Sequence, residues 1–202
     1  MKCHIVPDPI RCTLEGRLPR CNPDPLRRLS VVFILWTLAG VAILRAQNLP
    51  TEYEVKAAYL YQFGKFVEWP EGALARSGDD FAICTLGMDP FGSVLDETIS
   101  GRGVQSKKVI AKRLASANEA ADCNILFISS SEQNHLSEIL KMVQGKGVLT
   151  VGEMRNFLSQ GGMIHFQMEQ NKVRFEINLS AVEHANLKVS SQLLKVAKLT
   201  RE

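Results

Sequence analysis

Charge of one sign is largely missing from this sequence once its first stretch is set aside. The chain totals are 24 Lys/Arg and 21 Asp/Glu, a formal net charge of +3. Residues 1–46 hold seven of the bases and three of the acids, which leaves 17 bases, 18 acids and a net charge of −1 in 47–202. A near-neutral domain has no electrostatic footprint for nucleic acid. Phosphate cradles are missing too. There is no Gly-x-Gly-x-x-Gly and no Gly-Lys-Ser/Thr, so no nucleotide-binding loop is assembled. No Gly-x-Ser-x-Gly elbow presents a serine nucleophile. The histidines beyond the first stretch, His135, His165 and His184, are not spaced from one another or from a carboxylate like a metal pair. Internal repeats and low-complexity linkers are absent as well. These absences exclude the common enzyme signatures, and no cofactor, metal or enzymatic activity is expected.

No apolar run reaches the roughly 20 residues that a bilayer-spanning helix needs. The longest, Val31 to Leu44, has 14 residues and follows Arg27-Arg28. A basic pair before a short apolar run has the physical form of a secretory signal. Arg27 to Ala46 is therefore read as an export segment, with cleavage after Ala46 or Ala42. An uncleaved membrane anchor is the alternative. Residues 1–25 carry Cys3, Cys12 and Cys21 and five prolines without apolar periodicity. They are read as an extension, with translation starting near Leu26. The organisation expected is 1–46 as extension and signal peptide, and 47–202 as one periplasmic domain.

After Gln47 the pattern changes. Thr51-Glu52-Tyr53-Glu54 has the form of a capping box. The helix it opens carries Val55, Ala58, Tyr59, Phe63, Phe66 and Val67 as an apolar stripe and stops at Pro70. Strands are expected at Phe81–Leu86, Lys108–Lys112, Cys123–Ile128 and Gly147–Val151. Helices are expected between them at 91–99, around Ser116 to Ala121, and from Ser131 to Val143. A short helix at Met154–Leu158 precedes a hairpin, Met163–Met168 and Val173–Ile177, turning at Gln170-Asn171. A last helix is expected from about Ser180 to Leu199. Strands alternating with helices predict an α/β fold: a mainly parallel sheet of about five strands, helices on both faces, and a C-terminal hairpin and helix. The pairs Lys107-Lys108 and Lys112-Arg113 read as charges that keep an exposed strand edge soluble.

Open parallel sheets bind ligands beyond the carboxyl ends of their strands. The loops there are Leu86 to Gly92, with Asp89 and Pro90 as ordinary helix-start residues, and Ile128 to Glu132, with three hydroxyls. Capping explains one serine; a small-ligand site on the others remains open. Asp79-Asp80 and Asp96-Glu97 are expected to be solvated. Cys84 and Cys123 lie in strands that a doubly wound sheet can set side by side. The even count of two cysteines after the export segment, in an oxidising compartment, favours a disulfide, with two buried thiols as the other reading. The closed loop of about 40 residues is worth about 4 kcal/mol in the chain-entropy account.

The run Glu54 to Pro70, with its Trp-Pro end, resembles the opening helix of the YfiR-like family of periplasmic regulators. Gly161-Gly162-Met163-Ile164-His165-Phe166, Val173 to Asn178 and Ala185 to Leu194 are similar to it in the same order, so that the resemblance covers 51–199. It implies an α/β domain that binds and restrains an inner-membrane signalling protein, a diguanylate cyclase, and lowers cyclic-di-GMP output. It further implies sequestration by an outer-membrane lipoprotein. A homodimer is compatible with it. Cys84 and Cys123 match a disulfide of the family's best understood member, whereas that member's second pair has no counterpart after Cys123. Tyr61 and Trp69, off the apolar stripe, are the expected partner contacts. A periplasmic small-ligand sensor is the alternative function.

Overall fold

The computed structural model describes residues 49–70, 72–74 and 78–200. The expected extension and export segment, 1–46, lie outside the described residues. Helix α1 (Glu52–Phe66) starts as its sequence dictates: the Thr51 hydroxyl accepts from Glu54 N–H, and the Glu54 carboxylate reaches back to Thr51 N–H. β1 (Val67–Glu68) follows, then β2 (Asp80–Leu86), α2 (Ser93–Ile99), β3 (Gly103–Val104) and β4 (Lys107–Leu114). A 3-10 helix (Ala117–Asp122) leads to β5 (Ile125–Ile128), and another (Ser130–His135) leads to α3 (Leu136–Val143). β6 (Leu149–Gly152), β7 (Ile164–Glu169) and β8 (Lys172–Asn178) complete the main sheet's centre, followed by α4 (Leu179–His184), β9 (Lys188–Val189), α5 (Ser191–Leu194) and β10 (Lys198–Thr200).

The fold is α/β. Its sheet has eight strands, in the order β10-β8-β7-β6-β5-β2-β4-β3, rather than about five. Strands β4-β2-β5-β6-β7 are mutually parallel, β3 and β8 pair antiparallel at either side of them, and β10 lies parallel to β8. β1 and β9 form a separate antiparallel pair. Burial follows this order. Nearly all of β2 and all of β5 and β6 are buried, as central parallel strands must be, while β7 and β8 alternate.

Two cores result. Helices α1 and α2 and the C-terminal segment cover one face, over Phe81, Ile83, Phe127, Val151, Phe166, Phe175 and Ile177. On the other face α3 and the 3-10 helices cover Ala82, Cys84, Leu126 and Ile128, and this core ends at Leu158. Strands β7 and β8 present His165, Gln167, Arg174 and Glu176 to that second side, none of them part of a core. Helices on both faces, the expected arrangement, thus hold only for half of the sheet.

Other expectations fail for local reasons. The last helix breaks at Ala185, because Asn186 turns to φ +57°; the chain then pairs with β1 and ends as an edge strand. In place of the helix expected at Met154–Leu158, residues 155–158 form turns, with Phe157 wedged between two glycines. A Cβ on Gly152 would lie 2.5 Å from the Phe157 ring, and one on Gly162 2.3 Å from it. The hairpin turn at Gln170-Asn171 stands as expected, with φ of +49° and +60°, the geometry of a type I′ loop.

Candidate functional site

The two loops singled out in the sequence do meet. In the order β4-β2-β5-β6-β7 the direction of winding reverses between β2 and β5, where open sheets usually form a ligand crevice. Here the two loops are tied to each other across that crevice. Met88 N–H donates to Ser131 Oγ at 2.9 Å, and Ser129 N–H to the Leu86 carbonyl at 3.0 Å. Gly87 makes the approach possible, since it sits at φ +88° and a Cβ there would lie 2.4 Å from Ser131 Oγ. Ser131 is thus a cross-link rather than a helix cap. Asp96 is exposed, as expected, and also receives two bonds from Arg113 at 2.9 and 2.7 Å. Asp89 accepts from Phe91 N–H and from Arg113 Nε, so Arg113 ties β4 to the start of α2. The hydrogen bond from Arg113 holds the Asp96 carboxyl below its ordinary range.

Open space of about 560 Å³ remains beside this cross-link, lined by Leu86, Gly87, Leu114, Glu132 and Ile139, and a second opening lies beyond the carboxyl end of β6. A cleft of about 590 Å³ is bounded by the first turns of α1, the chain after Gly152, and β7. Lys56 is its focus. Although charged, the residue is only 3% exposed, and its Nζ contacts Glu52 and Glu153 carboxylates at 2.5 Å each. The ammonium lies 4.7 Å from the Tyr53 ring centroid, and the Tyr53 hydroxyl reaches Glu153 Oε1 at 3.4 Å. Burial alone lowers the Lys56 pKa, but the hydrogen bonds that its ammonium donates to Glu153 and Glu52 outweigh it, so the side chain is held above its ordinary value and stays ionised. Burial raises the Tyr53 pKa, and the Glu153 charge adds to it. His165, half-buried on β7, is held below the usual imidazole value by burial, against the pull of the Glu153 main chain and of the Glu176 and Glu153 carboxylates. Arg155 stands exposed at the rim and makes no ion pair among the described residues.

Sequence reasoning missed this cluster, because Lys56 and Glu153 are 97 residues apart. The signal within reach was Lys56 itself, next to Ala57 and one turn before Leu60, on the buried side of α1. That side is rotated from the expected stripe: Ala58 is exposed, and Tyr61 is 9% exposed. The expectation of Tyr61 and Trp69 as exposed contacts is therefore corrected. Gly64 lets α1 approach Phe81 and Val104, each 3.2 Å from where its Cβ would be, which draws Tyr61 inward. The Tyr61 ring lies under Arg102, at 4.8 Å. Trp69 is 8% exposed and packs edge-on to Phe81 at 5.1 Å. Its Nε1 has no hydrogen-bond partner among the described residues. Tyr59 and Phe63, expected to face inward, do so, forming an aromatic cluster with Phe166 and Phe175 at 5.1–6.1 Å.

Cys84 and Cys123 form a disulfide, with Cα atoms 6.0 Å apart. It pins β2 to the residue before Asn124, whose side-chain carbonyl takes the Ala82 N–H at 2.8 Å. Among the described residues, no group of three or more His, Cys, Asp and Glu is arranged to hold a metal ion.

A solved structure similar to this chain is the ABC domain in complex with L-Trp from Streptococcus pneumonia, at 10% identity and a TM-score of 0.45. The match covers 59% of this chain and 55% of that one, so this chain spans little more than half of its length. The model of the YfiR/HmsC-like family matches residues 53–198, from the second residue of α1 to the first of β10. The chain belongs to the YfiR/HmsC-like family, which is regulatory rather than catalytic.

Proposed function

We propose that this chain is an exported periplasmic regulator that binds and restrains an inner-membrane signalling protein, a diguanylate cyclase, and so lowers cyclic-di-GMP output. The observation that carries the reading is the family match, which spans the domain from residue 53 to residue 198. The cleft at the end of β6 supports it, because charged, apolar and open features coincide there. Export by residues 27–46 puts the domain, 47–202, in the same compartment as a cyclase's periplasmic region. An uncleaved anchor in that segment leaves the domain on the same side of the membrane. No helix among the described residues is long and apolar enough to cross a membrane. An outer-membrane lipoprotein would compete for the same domain and release the cyclase.

The test is cyclic-di-GMP in cells that lack the chain and are complemented with it, together with in-cell crosslinking to inner-membrane proteins. Complementation is expected to lower the nucleotide and to crosslink a cyclase. An unchanged nucleotide level with no membrane crosslink would overturn the reading. The second reading, a small-ligand sensor, is favoured by the ionised Lys56–Glu153 pair bordering an open cleft. A thermal shift produced by a periplasmic metabolite, and lost in Lys56→Met, would support it.

A further inference from the structure

Strand β7 outruns its neighbour. β6 ends at Gly152, opposite His165, while β7 continues to Glu169 against β8. Which way its main-chain groups point is fixed by the hairpin. Asn178 N–H donates to the Met163 carbonyl, and bonded pairs alternate along an antiparallel ladder, so His165, Gln167 and Glu169 turn their N–H and C=O toward β8. Ile164, Phe166 and Met168 turn theirs to the opposite side. The parallel register of Gly152 with His165 uses the Phe166 N–H. The Phe166 carbonyl and both main-chain groups of Met168 are left facing the cleft, with no main-chain partner among the described residues.

Deepening the regulator reading on which it rests, we propose that this cleft receives an extended segment of a partner protein. The segment adds as a strand to the Phe166–Met168 edge of β7, in the line that β6 vacates, and sets an acidic side chain against Arg155. Strand addition draws affinity from main-chain bonds and specificity from the pockets on alternate sides. Pairing places one side chain of the occupant. Lys56 is engaged by Glu52 and Glu153, whereas the exposed Arg155 makes no ion pair among the described residues, so it is the cation free to meet an acidic side chain. Met168, 46% exposed, and the Tyr53 ring supply apolar surface. The sheet's other free edges are guarded. Beyond its short pairing with β3, β4 carries Lys112 and Arg113, and β10 is three residues long with Lys198 at its start. Such charges and such brevity blunt an edge; the Phe166–Met168 edge, though as short as β10, carries no charged residue of its own.

The probe is a phage-displayed library of random dodecapeptides, selected on the immobilised purified chain. Enriched peptides are expected to alternate apolar residues with at least one Asp or Glu. In the synthetic peptide's complex, exchange of the Met168 amide slows, while the Gln167 amide is already protected by β8 in the free chain. Met168→Ala, which keeps the N–H, retains binding; Met168→Pro, which removes an N–H that β8 does not use, abolishes it while the Gln167 amide stays protected. Arg155→Glu weakens binding about tenfold or more, as loss and reversal of a rim charge should. Absence of any enriched peptide, or protection of amides elsewhere than at β7, overturns strand addition. Both results are distinguishable from failure of the regulator reading. A chain that enriches no peptide yet lowers cyclic-di-GMP loses only this inference, and one that binds peptides at β7 without touching cyclic-di-GMP loses only the other.

Discussion

Opening the Cys84–Cys123 disulfide has a magnitude that follows from the chain alone. The bond closes a loop with a sequence separation of 39. In the chain-entropy account, a loop of that size restricts the unfolded state by about 13 cal/mol/K, or about 4 kcal/mol at 25 °C. Both sulfurs lie in the second core, Cys84 at 0% and Cys123 at 4% exposure, so reduced thiols stay packed and the folded state changes little. With an unfolding entropy of about 2.1 cal/mol/K per residue over about 150 residues, 4 kcal/mol lowers the midpoint by about 12 °C. Calorimetry of the oxidised protein, of the reduced and trapped protein, and of Cys84→Ala/Cys123→Ala measures this directly. Urea unfolding should also become steeper on reduction, because the uncrosslinked unfolded chain exposes more surface. A midpoint difference below about 4 °C, with unchanged steepness, would refute the reasoning: the unfolded state would then not be the one that the bond restrains.

Three further outcomes are expected. Lys56→Met leaves the Glu153 carboxylate without its cation and should cost about 3 kcal/mol or more in urea unfolding, with Lys56→Met/Glu153→Gln recovering part of the loss; additive losses would show that the two groups are not coupled. Gly162→Ala puts a Cβ 2.3 Å from the Phe157 ring and 2.7 Å from its carbonyl oxygen, and overpacking of this kind should cost about 1–3 kcal/mol, read as a lowered thermal midpoint. His165 has a folded pKa below its unfolded value of about 6.5. Its contribution is complete above that pH and declines as pH falls below it, because the unfolded chain takes up the proton first. His165→Gln should therefore lose less stability than wild type between pH 7.5 and pH 5, measured by urea midpoints.

The strands that were legible are those whose environment is uniform. Ile125 to Ile128 is continuous and buried on both faces, and Val173 to Ile177 alternates because only one face is covered. The C-terminal stretch was not legible. Ala181, Val182, Ala185, Leu187, Leu193 and Leu194 recur at nearly helical spacing, and only the left-handed turn at Asn186 and the pairing with β1 break them into two short helices. Tyr61 misled for a related reason. A helix stripe locates one packing surface, but α1 is flanked both by the Phe166–Phe175 side and by Val104, Phe81 and Arg102, so its buried arc is wider than one stripe. The candidate cleft was illegible because its parts are brought together by tertiary structure: Lys56 from a helix, Glu153 from the end of β6 and His165 from a strand. The disulfide was legible, since Cys84 in β2 and Cys123 just before the neighbouring β5 leave few alternatives.

The position of the cleft follows from how this sheet departs from a symmetric doubly wound one. The usual crevice, between β2 and β5, is spanned by Ser131 over Gly87. β6 leaves the sheet at Gly152, where Phe157 packs against a position that admits no Cβ, and the line it vacates becomes the opening. On one wall stands α1 and on another β7, and two sets of contacts bind those walls together: the Lys56–Glu153 pair at the rim, and the rings of Tyr59, Phe63, Phe166 and Phe175 beneath it. A segment that seats on β7 beside Glu153 therefore acts on α1 through the same contacts that hold the hairpin in place. Lys56 should register such a segment even where no atom of it touches the ammonium, because Glu153 cannot move without uncovering a buried charge. A shift of the Lys56 Nζ resonance on peptide binding, absent in Glu153→Gln, is the expected sign of that coupling.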